Sequence, residues 1–240
     1  MTFSRRIVSE ALGTALLLTV VVGSGIMAER LAGGNVAIAL LANTIATGAG
    51  LFALIQMFGT ISGAHFNPVV TLSEIWQRNV PTVEVLPYIV AQIAGAFSGV
   101  AVTHAMFSKP TFFASAHVRS GAAQWLSEFV ATFGLIGVII GCSRSRPSIT
   151  PFAVAAYITS AYWFTASTSF ANPAVTLARA ATDTFAGIRP ADAPGFIIAQ
   201  LFGATAATLL FTWLYPAPPP SATVGGTVAP SAFANQSVTD

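Results

Sequence analysis

Long apolar segments, separated by short polar or turn-forming stretches, make up most of this chain. Six of them are long enough to be membrane-spanning helices, since a helix needs about 20 residues to cross the hydrocarbon core of a bilayer. They comprise residues 7–27, 36–58, 85–107, 122–142, 151–168 and 193–215. This pattern predicts an all-α membrane protein.

Two further apolar segments, residues 67–77 and 172–182, are too short to cross a membrane. At 1.5 Å per residue each would reach about 16 Å, roughly half of a 30 Å hydrocarbon core. We therefore predict two re-entrant half-helices, which enter the bilayer and turn back. Together with the six spans they give the expected fold.

An Asn-Pro dipeptide opens each short segment, and both copies continue with a small residue and then Val-Thr-Leu. Proline is tolerated in the first turn of a helix, and a preceding asparagine can cap that helix. A single Asn-Pro usually marks a loop turn. Two copies at corresponding places of an apolar chain instead indicate a pore motif, whose residues are Asn67, Pro68, Val69, Asn172, Pro173 and Ala174.

The duplication extends beyond these motifs, because Glu10 in the first span corresponds to Glu128 in the fourth. Each half holds three spans, so the second half must enter the membrane from the opposite side, which is an inverted repeat. We expect one channel domain over residues 1–215, with repeats at about 7–107 and 122–215. Asn67 and Asn172 should then face each other near the bilayer midplane.

Composition supports the membrane assignment and excludes several classes of function. The chain is 54% apolar and only 8% charged, whereas soluble domains carry about 25% charged residues. Its net charge is +2 with scattered basic residues, so we expect no nucleic-acid partner. We find no catalytic triad, metal-ligand cluster or phosphate-binding loop, and expect neither an enzyme nor a bound cofactor or metal. Residues 216–240, rich in Pro, Ser, Ala, Gly and Thr, are predicted to form a disordered tail.

At the segment from Ser62 to Pro68, which reads Ser-Gly-Ala-His-Phe-Asn-Pro, the chain resembles the major intrinsic proteins, the aquaporin and aquaglyceroporin family. The resemblance covers about residues 7–215. It implies a homotetramer with one pore in each subunit. It also implies structural supporting roles for Glu10, Glu128 and Gln56. His65, two residues before the first motif, could line the lumen, but a structural hydrogen bond to the re-entrant loop is our preferred interpretation.

The chain departs from the family pattern at the second motif, where an Arg usually follows and narrows the outer selectivity filter. Here that position is Val175, and Arg179 lies one helical turn further on. Arg179 could reach back to the pore mouth or anchor the half-helix in the headgroup region. The anchor is our preferred interpretation, because Arg side chains near helix ends commonly snorkel.

The other filter positions follow from the resemblance by spacing: Thr47 in the second span, Ser169 in the loop, and Tyr162 or alternatively Ser160 in the fifth span. A filter of Thr47, Tyr162, Ser169 and Val175 is uncharged and moderately wide. It resembles that of a bacterial branch linked with arsenic resistance. The implied function is a passive, ion-excluding channel for glycerol-like polyols, undissociated arsenous acid or methylated arsenicals, and water.

Two alternatives stay open at this point: a water-selective aquaporin and an inverted-repeat secondary transporter. We expect a multi-pass protein of the inner (plasma) membrane with both termini cytoplasmic. Basic residues are divided evenly between the two sides, so charge bias alone does not fix the orientation.

Overall fold

The computed structural model describes residues 1–216, so the predicted tail lies, apart from Pro216, outside the described residues. This part of the chain forms α-helices and no strand. The helices are α1 (Phe3–Leu31), α2 (Val36–Ser62), α3 (Pro68–Trp76), α4 (Val85–Met106), α5 (Ala122–Ser145), α6 (Thr150–Phe164), α7 (Pro173–Arg179) and α8 (Ala193–Leu214). A single 3-10 turn leads directly into each of α4, α6 and α8.

Five of the helices, α1, α2, α4, α5 and α8, are long and apolar enough to cross a membrane by length and composition. The remaining predicted span is α6, which has 15 residues and ends at Phe164. The predicted end at residue 168 was wrong. The chain leaves the helix at Thr165, whose backbone is extended with φ −110° and ψ 140°, and so begins its return into the bundle early.

The two half-helices are also present, and both are shorter than predicted. α3 has 9 residues and α7 has 7. α7 stops at Arg179, three residues before the predicted end, because Ala180 and Ala181 continue as a turn bonded to Leu177 and Ala178.

The helix packing repeats in the two halves of the chain. α1 packs along α4 in the first half, as α5 packs along α8 in the second. Glycines permit the close approach at equivalent places: a side chain at Gly95 would collide with the carbonyl oxygen of Ala11, and one at Gly203 with that of Phe129. Small residues that let backbones approach are typical of helix association in membranes.

The half-helices start together inside the bundle and run towards its opposite ends. Gln77, at the end of α3, accepts a 2.7 Å hydrogen bond from Arg144 in the last turn of α5. Arg179, at the end of α7, donates to the carbonyl of Ala186, which packs against Gly25 near the end of α1. This arrangement is that of an inverted repeat.

Candidate pore

Each Asn-Pro motif caps its own half-helix. Asn67 Oδ1 accepts the backbone N–H of Val69 at 3.1 Å, and Asn172 Oδ1 accepts those of Ala174 and Val175 at 3.0 and 3.2 Å. Both asparagines have extended backbones and are followed by proline at the first helical position. The side-chain oxygens thus satisfy amides that the first helical turn leaves without partners.

The two asparagines also bind across the molecular pseudo-symmetry. Asn67 Nδ2 donates to the carbonyl of Ala171 at 2.7 Å, and Asn172 Nδ2 donates to that of Phe66, also at 2.7 Å. The amino-terminal ends of α3 and α7 are therefore held face to face. An amide nitrogen carries two hydrogens, so each Nδ2 retains one donor beyond this reciprocal pair.

The loops that deliver the asparagines contain non-glycine residues with left-handed backbones. Ala64 and Phe66 have φ 51° and 48° before the first motif, and Ser169 and Ala171 have φ 50° and 49° before the second. Such conformations cost of order 1–3 kcal/mol each and persist only where surrounding contacts impose them. Here they turn the carbonyls of Phe66 and Ala171 towards the opposing asparagine.

Glu10 and Glu128 hold these loops in place from inside the bundle. Both side chains are fully buried. The carboxylate of Glu10 accepts the backbone N–H groups of His65 and Phe66 at 3.0 and 2.7 Å. Glu128 accepts those of two loop residues, at 2.9 and 2.8 Å. Each buried charge is thereby satisfied by hydrogen bonds rather than by a cation.

Two glutamines complete the network, and we did not assign them a role from the sequence. Gln92 Nε2 donates to Glu10 at 2.8 Å and to Thr71 Oγ1 at 2.9 Å. Gln200 Nε2 donates to Glu128 at 2.6 Å and to a threonine of α7 at 2.9 Å. The signal that could have identified them is the repeated Ala-Gln-x-x-Gly-Ala sequence in α4 and α8, which places both glutamines at equivalent positions.

A cavity of about 280 Å³ runs past the paired asparagines. Asn67 and Asn172 both line it. Most of its wall is apolar, contributed by Leu17, Val21, Leu51, Ile55, Leu135, Ile139, Val154 and Ile158. The polar side chains on the wall are those of Thr47, His65, Asn67, Glu74, Ser143, Thr150, Tyr162, Asn172 and Arg179. Small-molecule sites typically combine an apolar wall with placed hydrogen-bonding groups of this kind.

Three of the four predicted filter residues lie on this cavity: Thr47, Tyr162 and Val175. The hydroxyl of Tyr162 donates to Thr47 Oγ1 at 3.3 Å, which links α6 to α2. The alternative fifth-span residue, Ser160, is exposed on the other side of α6 and donates to the carbonyl of Tyr157.

Two of the predicted site residues lie elsewhere. Ser169 is buried, but it does not line the cavity; its neighbour Phe170 does. Thr168 and Ser169, which precede Phe170, both have left-handed backbones, with φ 60° and 50°. Gln56 is exposed on the outside of α2, since Leu54 and Phe58 occupy the inward face. Neither the filter role of Ser169 nor the support role of Gln56 agrees with these positions.

The histidines differ in their surroundings. His65 lines the cavity, and its Nδ1 shares a 3.1 Å hydrogen bond with Thr71 Oγ1. His104 carried no signal in the sequence, yet it is fully buried. Its ring nitrogens bond the carbonyl of Thr111 at 2.8 Å and Thr182 Oγ1 at 2.7 Å. It thereby joins the loop after α4 to the segment after α7.

Arg179 is 2% exposed and lines the cavity. Its guanidinium carbon lies 3.4 Å from the centroid of the Phe170 ring, and its Nε donates to the carbonyl of Ala186. A side chain anchored in lipid headgroups would be exposed at the bundle surface. The anchor interpretation of Arg179 was therefore wrong, and the residue lies at the end of the cavity.

Paired half-helices inside a bundle of apolar helices, with a cavity running past their joined ends, define a membrane channel of the aquaporin type. Comparison with known proteins agrees with this class. The family model described as major intrinsic protein matches residues 1–154 and 147–239, so the chain belongs to the major intrinsic protein family. Members of this family are channels and not enzymes.

Individual relatives include an aquaglyceroporin, AqpS, from Rhizobium meliloti (strain 1021). It is 54% identical over 211 residues, which cover 88% of this chain and 90% of that protein. Aquaporin NIP2-2 of Zea mays is 34% identical over 193 residues, covering 77% of this chain and 64% of that protein. The X-ray structure of the aquaglyceroporin from Plasmodium falciparum superimposes with a TM-score of 0.65 at 20% identity, covering 89% of this chain and 96% of that one.

Proposed function

We propose that the protein is a passive, ion-excluding channel for glycerol-like polyols, undissociated arsenous acid or methylated arsenicals, and water. The observation that carries this proposal is the combination of an apolar cavity wall with the paired donors of Asn67 and Asn172. A polyol presents hydroxyl oxygens along one side and C–H groups along the other. Its hydroxyls can accept from the asparagines while its carbon side slides along the apolar wall.

We place the constriction of the pore at the predicted filter residues Thr47, Tyr162 and Val175, and expect it to admit solutes larger than water. Val175 stands where an arginine would otherwise project into the lumen, and the other groups at this level are the hydroxyls of Thr47 and Tyr162. These hydroxyls can exchange hydrogen bonds with a solute, and none carries a charge. Arsenous acid is a small neutral molecule with three hydroxyl groups, so it offers the same hydrogen-bonding chemistry as a polyol.

Proton and ion exclusion follow from the same groups. A water that accepts hydrogen bonds from both asparagine amides cannot relay a proton along the file of waters, and an ion would lose its hydration shell against a mainly apolar wall. The two buried carboxylates do not offer an ion-coupling site. Glu10 and Glu128 already accept hydrogen bonds from backbone amides and from Gln92 and Gln200. This argues against the secondary transporter.

A homotetramer and an inner-membrane location with cytoplasmic termini are part of the proposal. Gln56 supports the oligomer, because it is an amide on the outward face of an apolar span. A polar side chain at such a position is stabilised by hydrogen bonding to a neighbouring helix rather than by lipid. Cross-linking in native membranes would measure the subunit number.

Stopped-flow light scattering on proteoliposomes tests the proposed substrates. We expect glycerol, arsenous acid and water each to equilibrate faster than in protein-free liposomes. The matched variant is Asn172→Ala, which removes the central donor and the cap while keeping the cavity wall. Equal glycerol rates in protein-free and protein-containing vesicles would contradict the proposal, and water flux without glycerol flux would favour the water-selective alternative.

A further inference from the structure

Arg179 is a buried cation that has no acidic partner in the part of the chain that the structure describes. Among residues 1–216 the salt bridges are Arg6–Glu84 and Arg189–Asp192, and neither involves it. Burying an unpaired charge is costly unless other groups stabilise it. The position of Arg179 at the wall of the cavity therefore calls for an explanation that anchoring in lipid cannot give.

The residues around Arg179 fix the orientation of its guanidinium group and leave some of its N–H donors free to face the cavity. Its guanidinium plane lies against the Phe170 ring at 3.4 Å, a cation–π contact, and its Nε donates to the carbonyl of Ala186. Within the described part of the chain no hydrogen-bond partner is found for its two Nη groups. They are left to the cavity that the residue lines.

Arg119 provides a contrast, since its guanidinium also lies over Phe170, at 5.2 Å. Its donors are used by loop backbone: Nε bonds the carbonyl of Gly187 at 2.8 Å and Nη1 that of Ser167 at 3.2 Å. It does not line the cavity. Arg119 thus links two loops through hydrogen bonds to their backbone carbonyls. Arg179, in contrast, lies at the wall of the cavity.

The register of α7 relates Arg179 to the filter. Residues four apart lie on one helix face, and both Val175 and Arg179 line the cavity. At 1.5 Å per residue the two positions are separated by about 6 Å along the helix axis. The wall is therefore small and apolar at one turn and positively charged at the next. Val175 can therefore select solutes by size, and Arg179 by charge, on successive turns of α7.

We propose that Arg179 adds electrostatic exclusion of cations to the desolvation barrier of the apolar wall, acting one turn beyond the constriction that we place at Val175. This inference rests on the proposed channel function and extends it. A charge at the cavity wall one turn beyond Val175 repels cations electrostatically, and it adds no side-chain volume at Val175 itself, where a neutral polyol must pass. This arrangement lets one pore admit a neutral polyol and exclude cations.

The test compares potassium and glycerol permeability in the same proteoliposomes, using the full chain. Arg179→Gln removes the charge and keeps hydrogen bonding; we expect its potassium-to-glycerol permeability ratio to rise at least tenfold over the parent. Arg179→Lys keeps the charge and should stay within about threefold of the parent. The matched control is Arg30→Gln, because Arg30 also lies over a phenylalanine, Phe107 at 5.0 Å, but is exposed and outside the cavity. Its ratio should not change.

Arg179→His tests the charge within one folded protein. A histidine at position 179 is neutral at pH 8, which lies well above the ordinary histidine pKa near 6.5. We expect its potassium-to-glycerol permeability ratio at pH 8 to be at least fivefold above that of the parent, and to fall as the pH is lowered and the side chain gains its charge, with no such change in the parent. An Arg179→Gln ratio within twofold of the parent, or an Arg179→His ratio at pH 8 within twofold of the parent, would overturn the inference. A parent that fails to conduct glycerol would instead refute the proposed function.

Discussion

Replacing Val175 with arginine is the most informative change to the pore. Val175 is 5% exposed and lines the cavity, and its backbone N–H is held by Asn172. A long side chain at this position must therefore enter the lumen. It would project across the space between α7 and the hydroxyls of Thr47 and Tyr162, where we place the constriction.

The magnitude of the effect follows from size and from charge. Two unit charges about 6 Å apart in a medium of effective dielectric constant near 20 repel each other by about 3 kcal/mol. An arginine at position 175 is therefore driven away from Arg179 and further into the lumen. A rise of only about 1.4 kcal/mol in the barrier slows passage tenfold. We expect Val175→Arg to lower glycerol permeability at least tenfold and water permeability by less than threefold.

Stopped-flow light scattering measures both permeabilities in the same vesicles. Val175→Met is the matched control, because methionine is long, unbranched and uncharged. We expect it to lower glycerol permeability less than arginine does. If Val175→Arg retains the parental ratio of glycerol to water permeability, Val175 does not form the constriction, and another part of the pore sets the size of the solute. If methionine and arginine act alike, size alone is responsible.

Three further predictions concern stability and the supporting network. Glu128→Gln keeps one acceptor oxygen but turns an NH2 donor towards the second of the two loop amides that the carboxylate accepts. We expect a loss of about 3 kcal/mol, seen as a lower melting temperature in detergent, whereas Glu29→Gln, at an exposed position, should have no effect. Gly203→Ala should lower the melting temperature, because its new methyl group would collide with a backbone carbonyl of α5. A methyl group added at Gly59 would meet no atom within 4 Å, so Gly59→Ala should be neutral or stabilising by up to about 1 kcal/mol. Equal changes of melting temperature for Gly203→Ala and Gly59→Ala would contradict the close packing of α8 against α5. Asn172→Ala should reduce glycerol permeability at least tenfold. It should also lower stability by about 1 kcal/mol through loss of the helix cap. A glycerol permeability equal to that of the parent would show that the Asn172 amide does not bind the solute.

Much of the fold could be predicted from the sequence because its signals are local and repeated. Apolar length indicates spans, and the two Asn-Pro motifs mark half-helices whose caps use only neighbouring atoms. The correspondence between Glu10 and Glu128 indicated an inverted repeat. Each of these inferences depends on residue type and spacing alone.

The remaining details depend on backbone direction and on helix rotation. Phe170 rather than Ser169 lines the cavity, in a loop where Thr168 and Ser169 have positive φ values that their residue types do not indicate. Gln56 was misplaced because α2 is apolar on every side, so no pattern distinguishes its inward face. The role of Arg179 depends on Phe170 and Ala186, which only the folded chain brings to it.

Glycerol entry into proteoliposomes, measured with and without imposed proton and sodium gradients, tests the central claim most directly. A passive channel predicts that the initial rate exceeds that of protein-free liposomes and increases linearly with the glycerol gradient. It also predicts that collapsing both ion gradients with ionophores leaves the rate unchanged. Rates that saturate at low glycerol concentration or vanish without an ion gradient would contradict a channel and indicate coupled transport.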